Sequence, residues 1–126
     1  MRLSNIAPPE WKYPELTVYA LKEIVKNAVE GTGVKRVGLV GSMARGEHSR
    51  VSDVDLLLDS INFSEDLLIF GEYVGSKLDN QYNKRLDIID FKFASDVAEG
   101  TEVVDNIWKH KQGYERMLKE VIWIFG

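Results

Sequence analysis

Gly41-Ser42-Met43-Ala44-Arg45-Gly46-Glu47-His48-Ser49-Arg50-Val51-Ser52-Asp53-Val54-Asp55 is the stretch on which the reading of this chain turns. Before it, Val34-Lys35-Arg36-Val37-Gly38-Leu39-Val40 is short, β-branched and apolar towards its end, which predicts a buried strand. Gly41 breaks that strand, and the residues after it open a short helix. A second strand runs from Val51 to Asp59, with Val54, Leu56 and Leu58 on one face and Asp53, Asp55, Leu57 and Asp59 on the other. Taken singly the pieces are common. Asp-x-Asp is expected about 0.6 times by chance in a chain of this composition. Gly-Ser occurs again at Gly75-Ser76, with no Asp-x-Asp after it. Both together at one fixed offset arise by chance in about one case in a hundred at most.

Further out, Pro14 is placed to open a helix reaching about residue 30. Its apolar stripe is Leu21, Ile24, Val25, Ala28 and Val29, and Gly31-Thr32-Gly33 ends it. Residues 1–13, with Pro8, Pro9, Trp11 and Tyr13, read as an irregular lead-in. Ser64 is the expected N-cap of a helix to about Leu78, which offers Leu67, Leu68, Tyr73 and Val74 for packing. Asp79-Asn80-Gln81-Tyr82-Asn83 reads as a polar loop and Arg85 to Phe93 as a third strand. From about Asp96 to Phe125, Val104, Ile107, Trp108, Met117, Leu118, Val121, Ile122 and Phe125 recur at helical spacing, with Gly113 a point of interruption. Val121-Ile122-Trp123-Ile124-Phe125 is apolar on all sides, a surface that another subunit would cover. This order of elements predicts a single α/β domain over residues 1–126.

The 126 residues suffice for one domain and its core. Sixteen Lys and Arg against twenty Asp and Glu give a net charge of −4, which disfavours a long nucleic acid as partner. No apolar run reaches the roughly 20 residues of a membrane span, and the N-terminus lacks the apolar core of a secretory signal. The absence of cysteine excludes disulfides and thiolate chemistry and fits a cytoplasmic protein. His48 and His110 lie too far apart in the sequence to suggest a histidine metal site or a Ser-His-Asp triad, and Lys109-His110-Lys111 reads as a solvated face.

The central stretch suits a nucleoside triphosphate. Gly41 lets backbone approach a phosphate where any Cβ would obstruct it. Ser42 adds a hydroxyl and amide groups at a helix start. Asp53 and Asp55, two apart on a strand, share a face, where paired carboxylates suit Mg²⁺ bridged to phosphates. The alternative, a solvated sheet edge, is at odds with the apolar residues around them. Asp87 interrupts the apolar strand Leu86-Asp87-Ile88-Ile89-Asp90-Phe91 and completes a three-carboxylate site if that strand lies beside Asp53-Val54-Asp55. Asp90 has the opposite parity, and it and Asp59 read as strand-end or surface residues. Arg45 is placed either to reach a phosphate or to pair with Glu47.

Gly-Ser, ten residues, Asp-x-Asp on a strand and a later strand Asp together resemble the nucleotidyltransferase superfamily named for DNA polymerase beta. The Gly-Ser-x-Ala-Arg-Gly form and short chain resemble its minimal nucleotidyltransferases, often the antitoxin partners of helical HEPN ribonuclease toxins. The resemblance covers residues 34 to 93. It implies a small mixed sheet with helices packed against it, like the polymerase palm, and two-metal transfer of a nucleotide from ATP or another triphosphate. By matching position, Gly41, Ser42 and Arg45 bind the nucleotide, and Asp53, Asp55 and Asp87 are the catalytic metal ligands for two Mg²⁺ ions. The acceptor it suggests is a hydroxyl, a tyrosine, on a HEPN toxin. Transfer to a small molecule, as in aminoglycoside nucleotidyltransferases, and neutralisation of a toxin by binding alone are the alternatives. A second copy of the chain is the other partner considered.

Overall fold

A computed structural model describes residues 13–47, 53–100 and 107–126, with 107–110 as backbone only. Helix α1 (Val18–Ala28) starts where the Thr17 hydroxyl accepts the Ala20 amide, four residues beyond Pro14. Leu21, Val25 and Ala28 form its buried stripe. Strand β1 (Val34–Val40) follows, then the single turn α2 (Gly41–Ala44) and strand β2 (Val54–Ser60). Helix α3 (Phe63–Tyr82) is capped by Asn62, whose side chain accepts the Glu65 amide, rather than by Ser64. It runs through the expected polar loop and stops at Asn83, which takes the left-handed conformation at φ 53°. Asn tolerates that geometry, so the stop signal lies four residues later than polarity suggests.

Strand β3 (Leu86–Asp90) gives way at once to helix α4 (Phe91–Glu99), because Asp90 turns its side chain onto the Lys92 amide as an N-cap. Gly100 ends α4 at φ 76°. Helix α5 (Ile107–Glu120) passes through Gly113 unbroken, and strand β4 (Ile122–Phe125) closes the chain. The long helix expected over 96–125 is therefore corrected. Its last turn is a strand paired antiparallel with β1, Leu39 opposite Ile122 and Gly38 opposite Trp123. Val121-Ile122-Trp123-Ile124-Phe125 thus docks on the chain's own sheet. Gly38 makes this possible, since a Cβ there would run into the side chains of Val121 and Trp123. Residues 1–12, His48, Val51 and Val104 fall outside the described residues, as do the side chains of Ile107, Trp108 and His110.

The sheet is mixed, in the order β3-β2-β1-β4, with β2 parallel to β3 and the other pairs antiparallel. Side-chain alternation splits its two faces between two helical layers. Val37, Leu39, Val54, Leu56 and Leu58 pack with Leu21 and Val25 of α1 and with Phe70, Val74 and Leu78 of α3. On the reverse, Val40, Leu57 and Ile89 pack with Ala94 of α4 and with Tyr114, Met117 and Leu118 of α5. The second face is the one that also carries Asp55.

Candidate functional site

Three strands bring the predicted residues to one end of the sheet. Asp55 lies opposite Val40, the last residue of β1, and opposite Asp87 in the parallel β2–β3 register. Residues paired across neighbouring strands point to the same face, so Asp55 and Asp87 are side by side. The chain then leaves β1 through Gly41, at φ 76°. That left-handed conformation favours glycine, and a Cβ at this position would collide with the Asp55 carboxylate. The first residue of α2 and the carboxylate on β2 therefore fit each other only because residue 41 has no side chain.

The Asp55 carboxyl is held above the ordinary aspartate range. Partial burial is the main cause, followed by the charges of Asp87 and Asp53 and a hydrogen bond with Asp87, while Arg45 pulls the other way. Uncompensated negative charge is what a hard divalent cation neutralises, and an all-carboxylate donor set suits Mg²⁺. In this conformation no group of three or more His, Asp or Glu side chains is gathered to hold a metal among the described residues. Asp55 and Asp87 are in contact, and Asp53 joins them through its charge.

Ser42 lies in the first turn of α2, half-buried, its carbonyl accepting the Glu47 amide at 2.9 Å. Amides in such a turn have no helical carbonyl to donate to. Arg45 ends α2 and is engaged by carboxylates: its Nε donates to Glu47 at 3.0 Å, as one sequence reading allowed, and its NH1 lies 3.5 Å from Glu120. Glu120 belongs to α5, and no spacing in the sequence links it to Arg45. Asp59 and Asp90 prove structural, Asp59 as the partner of Arg36 at 3.0 Å and Asp90 as the α4 cap. A groove of about 420 Å³ between α3 and β3 contains none of the predicted site residues. Leu86 and Ile88 line it from the face opposite Asp87.

Residues 18–120 match the family model described as "Nucleotidyltransferase domain". No curated protein matches the chain significantly. Among solved structures, a chain of "Crystal structure of the toxin-antitoxin with AMP-PNP" is similar at 16% identity and a TM-score of 0.49, over 82% of this chain and 88% of that one.

Proposed function

This chain belongs to the nucleotidyltransferase domain family, and on that premise we propose that it moves AMP from ATP to a hydroxyl of a partner protein, as an antitoxin acting on a HEPN-type toxin. The observation that carries the transfer is the contact of Asp55 with Asp87 beneath the left-handed Gly41 turn. Such a repulsive pair costs stability in the free protein and is useful only where cations arrive with a substrate. Asp53, Asp55 and Asp87 would hold Mg²⁺, which neutralises triphosphate charge and lowers the pKa of an acceptor hydroxyl when bound.

The chain's own groups do the rest. Gly41 and Ser42 offer backbone amides and a hydroxyl to the phosphates, close to Asp55 because no Cβ intervenes. Arg45 turns its guanidinium to a phosphate oxygen as the triphosphate enters. Asp87, exposed on β3, takes the proton of the acceptor hydroxyl at a carboxylate oxygen. The acceptor oxygen bonds to the α-phosphorus as the bond to the β-phosphate bridge breaks, and pyrophosphate leaves. The net charge of −4 argues for a protein rather than a long nucleic acid as acceptor.

Intact mass spectrometry tests this reading. The protein is incubated with Mg²⁺ and each nucleoside triphosphate, with and without a candidate HEPN-type partner. A gain of about one AMP mass on the partner, absent with Asp53→Asn, is the expected result. A partner that binds and neutralises normally yet gains no mass with any nucleotide would replace transfer by neutralisation through binding alone.

A further inference from the structure

Arg45 sits between two sets of carboxylates. On one side Glu47 and Glu120 take its Nε and NH1. On the other lies Asp55: the Arg45 amide donates to the Gly41 carbonyl at 3.2 Å, and Gly41 is packed against the Asp55 carboxylate. Glu120 is shared, since its second oxygen accepts Arg116 Nε at 3.1 Å from one turn back in α5. An alternating chain, Glu47–Arg45–Glu120–Arg116, thus runs from the loop after the Gly-Ser turn to the end of α5.

An unrestrained guanidinium this close to an acidic pair would settle on it, because a fork of donors matches a carboxylate well. It would then occupy the oxygens that the cations need. We propose that Glu47 and Glu120 are positioning residues that park Arg45 away from Asp55 and Asp87 in the free protein and surrender it to the incoming triphosphate. The proposal rests on the reading of this site as a triphosphate site. Surrender is easy on the geometry. Glu120 keeps Arg116 when Arg45 leaves, so its charge stays compensated. Glu47, 65% exposed, is resolvated by water. Ion pairs at such exposure are weak, so the two acids compete with substrate by a modest factor and do not block it.

The test is equilibrium binding of α,β-methylene ATP, whose bridge to the α-phosphorus resists cleavage, in the presence of Mg²⁺. Glu120→Gln and Glu47→Gln should each tighten binding by about two- to fivefold, and together by about tenfold. In an Arg45→Gln background, itself weaker in binding, the same substitutions should change nothing. That background separates parking from simple loss of negative charge, whose through-space benefit to an anion would persist without Arg45. Unchanged or weaker binding in both glutamate variants, with wild type binding normally, overturns the proposal and leaves the triphosphate reading standing. A gain that survives Arg45→Gln overturns it as well. Failure of the wild-type protein to bind sinks the triphosphate reading and the parking role with it. Glu47 lies in the exposed loop, so its variant answers the question even if Glu120→Gln disturbs α5.

Discussion

Strand β2 carries one aspartate near each end of the same sheet face, and the fold treats them in opposite ways. Asp59 is opposite Arg36 on β1, whose Nε and NH2 both lie 3.0 Å from its Oδ2, while Lys35 Nζ lies 4.0 Å from its Oδ1. The Arg36 guanidinium is itself stacked 4.1 Å from the Trp123 ring centroid and 4.8 Å from that of Phe91. Asp55, four residues earlier, faces another acid, Asp87. One end of the strand is compensated in charge by an arginine that rests on two aromatic rings, while the other is left with charge it cannot settle internally. Side-chain type is the same at both, so what distinguishes a structural aspartate from a functional one is its cross-strand neighbour.

The sharpest way to break this comparison is Asp55→Asn. Nucleotide transfer should fall by about a hundredfold or more. The variant's urea midpoint should equal or exceed that of wild type, because a like-charge contact has been removed. A variant that is inactive because it unfolds would make Asp55 a structural residue like Asp59. Gly41→Ala comes next. It forces a side chain into the left-handed region and against Asp55, so transfer should be lost together with about 1–3 kcal/mol of stability in denaturant melts. At the compensated end, Arg36→Met should cost about 1–2 kcal/mol through the lost ion pair and ring stacking, while the activity of the folded fraction stays near wild type.

The smallest effect is on pH dependence. The Asp55 carboxyl titrates higher in the folded chain than in the unfolded one. Below the ordinary aspartate pKa both forms are protonated and this group's stabilising contribution is complete. As pH rises through that value towards the raised one, the unfolded chain releases its proton first and the contribution is lost. Wild-type urea midpoints should therefore decline across this window relative to those of Asp55→Asn. Parallel profiles would mean that the burial and repulsion at Asp55 are without consequence.

Much of the site was legible in the sequence because it is local. Alternation placed Asp55 and Leu57 on the face opposite Val54, Leu56 and Leu58, and Leu57 packs in the other layer from those three, whereas Asp53, expected on the same strand, precedes β2, which begins at Val54. Asp87 needed one assumption, that its strand lies beside β2, and the parallel register supplies it. The end of the chain was not legible. The edge strand β4 buries Ile124 and leaves Ile122 exposed, yet all four of its residues are apolar, so its sequence shows no period of two. Five apolar residues in a row satisfy a helical stripe equally well. The Arg45–Glu120 pair was hidden for a related reason, being a contact between elements far apart in the chain.

The most direct measurement is divalent-cation binding, followed with Mn²⁺ as a paramagnetic stand-in for Mg²⁺, in wild type, Asp55→Asn and Asp59→Asn. Binding that is lost in Asp55→Asn and kept in Asp59→Asn is the result predicted from the two ends of β2. Equal binding by Asp55→Asn and wild type would contradict it, and the acidic pair would then have no role in holding the cation.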